Sequence, residues 1–137
     1  MKPSTLERYL LTILHAEERE GVARTSAIAE TLGVTPSSVS ETCSKLARCG
    51  LVAWRPYRGF RLTDRGMAIV KSMQQRSEVL MNFFTMIGVN AELAREEANR
   101  MASEISDEFL RRLDLLLGQS SLAPLDISME EAGDVCR

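Results

Sequence analysis

The chain has 137 residues, 45% of them hydrophobic and 26% charged, and a formal net charge of −2. That size serves one medium domain or two small ones whose cores need no covalent staples. No apolar run approaches the roughly 18–20 residues of a membrane span, and the start MKPSTLERYLL lacks the order of a secretion signal, so a cytoplasmic protein is expected.

The cysteines, Cys43, Cys49 and Cys136, are odd in number and form no CxxC, which argues against a disulfide framework or a zinc knuckle. Charge is divided along the chain. Residues 1–66 carry ten Lys or Arg against seven Asp or Glu, whereas residues 67–137 carry seven against twelve. Lys45, Arg48, Arg55, Arg58, Arg61 and Arg65 fall in one short segment whose single acid is Asp64, a pattern that suits a polyanion at one face.

Ser4 and Glu7 have the spacing of a capping box, and Leu6, Leu10, Ile13 and Leu14 keep helical period as far as Gly21, which predicts a first helix at about residues 5–19. Thr25 or Ser26 is expected to cap a short second helix that contains Ile28, Ala29 and Leu32 and ends at Gly33. The third helix is the most fully signed: Thr35 as N-cap, Pro36 at the first helical position, and Val34 placed to staple onto Val39. Its wheel groups Val39, Cys43 and Leu46 on one side and Ser37, Glu41, Ser44 and Arg48 on the other. LVAWRPYRGFRLT then alternates around Pro56-Tyr57-Arg58-Gly59, a two-stranded hairpin with an Arg-rich tip under which Trp54 is expected to pack.

The expected fold class is mainly α with a small β-hairpin: an N-terminal winged helix-turn-helix over residues 1–66, followed by a helical dimerisation domain. A recognition helix enters the major groove by its N-terminal turns, where short hydroxyls and free backbone N–H groups approach phosphates and base edges without steric cost. The candidate DNA-binding residues are therefore Thr25 and Ser26 at the second helix, then Thr35, Pro36, Ser37, Ser38, Ser40, Glu41 and Ser44 on the third. Lys45 and Arg48 at its far end, with Arg55, Tyr57, Arg58 and Arg61 on the wing, would reach the flanking backbone. Each feature has a plainer reading: serine-rich helix starts serve capping, and Arg-rich hairpins serve solvation. Their order and spacing together favour DNA.

From Asp64 to Met86, Ile69, Met73, Leu80, Phe84 and Ile87 recur at helical spacing and Phe83 widens the stripe; Asn90 and Ser106 look like N-caps of two further helices. The last holds Phe109, Leu110, Leu113, Leu116 and Leu117 before Gly118. Residues 67–118 either close one core within the monomer or pair across a homodimer, and symmetric DNA reading by so small a head favours the homodimer. Residues 119–137, with Asp126, Glu130, Glu131 and Asp134, form an acidic tail without strong period, expected to be mobile or lightly docked.

The run ARTSAIAETLGVTPSSVSETCSKLARCGLVAWRPYRGFRLTDRG, followed by RSEVLMNFFTMIGVN, resembles the metal-dependent repressors of the manganese transport regulator and diphtheria toxin repressor family, over about residues 4–117. VTPSSVS, YRGFRLTDRG and FFTMIGV carry the resemblance. It implies a homodimer on palindromic double-stranded DNA, usually controlling metal uptake, and a cage of carboxylates and histidines for manganese or iron. The positions matching that cage are Arg8, Leu11, Ser77, Asn99, Ala102 and Ser103, and none is a competent ligand for such ions. No cofactor is expected, except a transition metal at some other place. His15, the only histidine, is the one displaced-ligand candidate, and Glu78, Glu96, Glu97 and Glu104 read as solvated helix faces. Cys43, facing inward, reads as a small apolar residue rather than an oxidation sensor.

The expected function is thus a sequence-specific transcriptional regulator, of repressor type, whose ancestral metal cage is lost or replaced. The alternative is an interaction protein, a dimerisation partner or antirepressor, that keeps the fold without binding an operator itself. An enzyme is not expected, because no nucleophile, base and orienter assemble around one histidine and no phosphate-cradling glycine loop appears.

Overall fold

The computed structural model describes residues 1–118; the tail from Gln119 and Cys136 within it lie outside the described residues. In chain order the elements are α1 (Pro3–Glu20), α2 (Thr25–Leu32), α3 (Pro36–Arg48), β1 (Val52–Arg55), β2 (Gly59–Leu62), α4 (Asp64–Met86), α5 (Ala91–Met101) and α6 (Asp107–Leu116). They form two compact units, one of Met1–Val70 and one that begins at Lys71, so α4 contributes to both.

In the first unit, α1 starts earlier than the Ser4–Glu7 spacing suggests. Lys2 is the N-cap and Pro3 takes the first turn, where its missing N–H costs nothing and its fixed φ suits the helix. The face Leu6, Tyr9, Leu10, Ile13, Leu14 and Ala16 is buried, and α1 packs on α2 and β2. For α2 the expected hydroxyl cap is absent: Arg24 is the N-cap and no side chain bonds the first turn, Thr25 and Ser26 lying inside the helix. Gly33 ends it in the left-handed region, with Val34 N–H donating to Ala29 O at 3.1 Å. On α3, Thr35 Oγ1 accepts from Ser38 N at 3.2 Å, and Val39, Cys43 and Leu46 are fully buried, as the wheel predicts.

β1 and β2 pair antiparallel with Trp54 opposite Phe60 and Arg55 opposite Gly59. Proline at the second turn position and a positive φ of 63° at Tyr57 make the pattern of a type II turn, closed by Arg58 N–H to Arg55 O at 3.1 Å. The wing is lashed to the α1–α2 connection by a reciprocal backbone pair, Ala23 N to Phe60 O and Phe60 N to Ala23 O, both 2.8 Å. Gly59 makes that approach possible: its φ is 129°, and a Cβ there would lie 2.3 Å from Ala23 O. The expectation for Trp54 fails. Phe60 fills the space under the wing, and Trp54, one pair from the turn of the hairpin, is 59% exposed.

In the second unit, Asn90 Oδ1 caps α5 through Leu93 N at 3.0 Å and Ser106 Oγ caps α6 through Phe109 N at 3.3 Å, as expected. Val79, Leu80, Ala98, Ala102, Leu110 and Leu113 form the core, with Phe83 and Phe84 packed against it. Ile87 departs from the predicted stripe: α4 ends at Met86 and Ile87 is exposed in the following turn. Arg76 is unforeseen. It is only 2% exposed, and its guanidinium donates from Nε to Ala102 O at 2.8 Å, from one terminal nitrogen to Asp107, and from the other to Ile105 O. A buried cation is tolerable when every guanidinium nitrogen has a partner in this way.

Two measurements check these arrangements. Gly59→Ala should cost more than about 2 kcal/mol in denaturant unfolding, because the strain of positive φ adds to a backbone clash. Gly21→Ala, also at positive φ but with open space around the Cβ, should cost nearer about 1 kcal/mol; equal losses would refute the close approach. Burial pushes the Cys43 thiol up to about 12. The thiolate is the reactive form, so native Cys43 should resist alkylation at about pH 8 and label only on unfolding.

Candidate nucleic-acid interface

The outward face of α3 carries Ser37, Ser38, Ser40, Glu41, Ser44, Lys45 and Arg48, all exposed, together with Pro36 and its cap Thr35. Local bonds decide what each can offer. Thr35 Oγ1 donates to Ser38 Oγ at 2.9 Å, which spends the Thr35 proton on the cap and leaves Ser38 its own. Ser44 Oγ donates to Ser40 O at 2.7 Å and keeps its lone pairs to accept from a base amine. Glu41 and Lys45 pair at 3.7 Å in an exposed i,i+4 contact that is worth little and opens easily. Ser37 Oγ lies 3.3 Å from Thr35 Oγ1 and donates into the same cap, whereas Ser40 keeps its donor hydroxyl on the first turns, the part of the helix suited to base edges.

The wing and the α1–α2 connection enclose an open cleft of about 790 Å³, lined by Glu20, Gly21, Val22, Arg24, Arg55, Pro56, Tyr57, Arg58 and Arg61. The predicted wing residues Arg55, Tyr57, Arg58 and Arg61 are thus brought together. Their charges are not equivalent. Arg61 Nε lies 3.1 Å from Glu17 Oε1, while Glu17 Oε2 accepts from Leu62 N at 2.9 Å, so this guanidinium is partly committed to holding β2 on α1. Arg24, Arg55 and Arg58 have no carboxylate partner among the described residues. Tyr57 projects fully into solvent from the turn. Arg65, part of the basic segment, donates instead to Cys49 O at 3.2 Å at the end of α3.

Sequence reasoning did not place Arg24 in this cleft. A lone arginine before a hydroxyl pair reads as an ordinary loop residue, and only the Ala23–Phe60 pairing carries it to the wing. Thr25 and Ser26 lie at the uncapped start of α2, half-buried and exposed respectively. The positions matched to a metal cage fall in both units. On α1, Arg8 is exposed and Leu11 half-buried; in the second unit Ser77 Oγ donates to Asn99 Oδ1 at 2.5 Å, and Ala102 and Ser103 are buried. His15 is exposed. Among the described residues no three His, Cys, Asp or Glu side chains gather as metal ligands would, and no helix is long and apolar enough to cross a membrane.

The second unit leaves Met86, Ile87, Leu93, Phe109, Leu115 and Leu116 exposed. Leu110 and Leu113 fill the intramolecular core while their neighbours on α6 turn outward, so one monomer does not consume the apolar surface of this helix.

Comparison with known proteins accounts for both units. The iron dependent repressor N-terminal DNA binding domain matches residues 3–60, and the iron dependent repressor metal binding and dimerisation domain matches residues 63–126. The HTH-type transcriptional regulator MntR of Oceanobacillus iheyensis is 35% identical over 113 residues, 82% of this chain and 77% of that protein. A hypothetical protein of Sulfolobus solfataricus superposes with a TM-score of 0.76 at 26% identity, covering 94% of this chain and 98% of that one. The apo form of the manganese-activated repressor ScaR gives 0.73 at 28% identity, covering 86% of this chain and 57% of that longer one. The chain belongs to the iron-dependent repressor family, and is a dimeric DNA-binding transcriptional regulator made of that family's DNA-binding and dimerisation domains.

Proposed function

We propose that this regulator binds palindromic operator DNA as a homodimer, in the cytoplasm and as a repressor, without manganese or iron at the family's metal positions. The observation that carries the DNA part is the pairing of a hydroxyl-rich, fully signed α3 with a wing whose Arg55 and Arg58 lack carboxylate partners among the described residues. In this reading Ser37, Ser40, Glu41 and Ser44 set base preference, and Thr35, Pro36 and Ser38 shape the helix start that enters the groove. Thr25 and Ser26 approach phosphate from the start of α2, while Lys45, Arg48, Arg55, Tyr57, Arg58 and Arg61 hold the flanking backbone. Arg24 joins this last group. The exposed apolar residues of α4 to α6 supply the surface that a second copy covers, which fits dimerisation better than the antirepressor alternative fits a match to both family domains. Nothing in this arrangement calls for catalysis.

Metal independence rests on donor chemistry. Manganese and ferrous iron need several carboxylate and imidazole donors; a guanidinium, a leucine, an alanine and two serines offer none of these, and the amide oxygen of Asn99 already accepts from Ser77. These residues do not fit the ion.

Arg58→Ala should weaken specific and non-specific DNA alike and flatten the slope of log affinity against log salt by about 1. Arg61→Ala should flatten it less, because that charge is shared with Glu17; an unchanged slope for both would overturn the wing assignment. Calorimetry with manganese, ferrous iron and zinc on chelator-treated dimer should show no tight binding, and chelator should leave affinity for DNA selected from a random pool unchanged. Micromolar metal binding that raises DNA affinity would refute metal independence.

A further inference from the structure

We propose that Trp54 is a DNA-contacting residue whose indole packs on the deoxyribose edges of the flank that Arg55 and Arg58 hold by its phosphates. This rests on the DNA-binding reading above and extends it to an apolar contact. Trp54 is the chain's only tryptophan. The strand register puts it on the same face as Val52 and opposite Phe60, both buried, yet it is 59% exposed. The wing therefore carries its largest apolar side chain without gaining a core from it. Such a residue, kept in water, is informative in a way that a scattered exposed leucine is not.

Its surroundings select the occupant. β1 packs against α3, so Trp54 stands on the strand adjoining the recognition helix. The next residue, Arg55, and the turn residue Arg58 line the basic cleft with no carboxylate partner among the described residues, and between them Tyr57 presents a fully exposed ring at a positive φ. A side chain held in an unfavourable backbone region with no packing in return marks a place built for contact. Excess positive charge beside aromatic faces fits a backbone of alternating phosphates and apolar sugar edges better than it fits a protein surface. A sugar contact releases no counterions, so Trp54 adds affinity that salt does not remove.

The test uses the whole protein and a labelled duplex selected from random DNA. Anisotropy of the label reports binding, and Trp54 emission, unambiguous because it is the sole tryptophan, reports the contact. On DNA binding the emission should shift to shorter wavelength and lose access to acrylamide. Trp54→Ala should lower affinity about tenfold with the salt slope unchanged, and Trp54→Phe should recover most of that loss. Thermal melts confirm that the variants fold, and the emission measurement needs no variant. Binding by anisotropy with unaltered emission and acrylamide access overturns the proposal while leaving the DNA-binding reading intact. A Trp54→Ala slope change as large as that of Arg58→Ala overturns it too. An emission shift that follows protein concentration without DNA assigns Trp54 to a protein interface instead, and no anisotropy change at all overturns both readings.

Discussion

The reading head depends on the reciprocal backbone pair between Ala23 and Phe60. It makes the α1–α2 connection, in effect, a third strand beside the wing, and only a glycine at position 59 lets the two backbones come that close. Everything charged in the cleft follows from it: Arg24 is brought beside Arg55 and Arg58, and Glu17 reaches both Arg61 and the Leu62 N–H. On the other side, Leu51 N–H bonds Leu46 O at 2.9 Å and Thr63 Oγ1 bonds Gly50 O at 2.6 Å, fixing the wing to the end of α3. Helix and wing thus form one surface, so little ordering entropy remains to oppose binding.

The second unit solves a different problem with a permanent charge. Arg76 ties α4 to the carbonyls of Ala102 and Ile105 and to Asp107, which joins three helices at one corner. Beside it, Ser77 and Asn99 are bridged by a neutral hydrogen bond. A corner held by a guanidinium has no free-ion concentration to respond to, whereas a corner held by a bound cation does. The proposed metal independence and the buried arginine therefore bear on each other: the connections from α4 to Ala102, Ile105 and Asp107 are made by the protein's own groups.

Local signals made much of this legible. Thr35-Pro36, Asn90 and Ser106 marked helix starts because a cap is satisfied within three residues, and the apolar spacing of α3 gave its buried face directly. The failures are local at two helix starts and long-range elsewhere. Lys2 and Arg24 cap without side-chain bonds, so the hydroxyls nearby were a false lead. Phe60 rather than Trp54 lies under the wing, a choice between two aromatics on one face that alternation cannot make. Arg76 sits in an otherwise unremarkable RSEV run, and its three partners come from 26 to 31 residues further on. In the site, residue types on α3 and the wing were readable, but which cations are free was not, since Glu17 is 44 residues from Arg61.

That last distinction links the two units functionally. With Arg61 shared with Glu17 and Lys45 with Glu41, the cations of α3, the wing and the α1–α2 connection without a carboxylate partner among the described residues are Arg24, Arg48, Arg55 and Arg58. On the proposed DNA reading, four phosphate contacts would give a salt slope of about −4 for one head. In the proposed homodimer two heads on one duplex would double that slope and place two sets of α3 hydroxyls on two half-sites, which lifts both affinity and discrimination. The exposed apolar residues of α4, α5 and α6 have no bearing on DNA by themselves, yet in the proposed homodimer they support the pairing that brings a second head to the duplex. Dimerisation is in this sense part of the DNA site, and the acidic balance of the second half keeps the remainder of the protein from competing for the same polyanion.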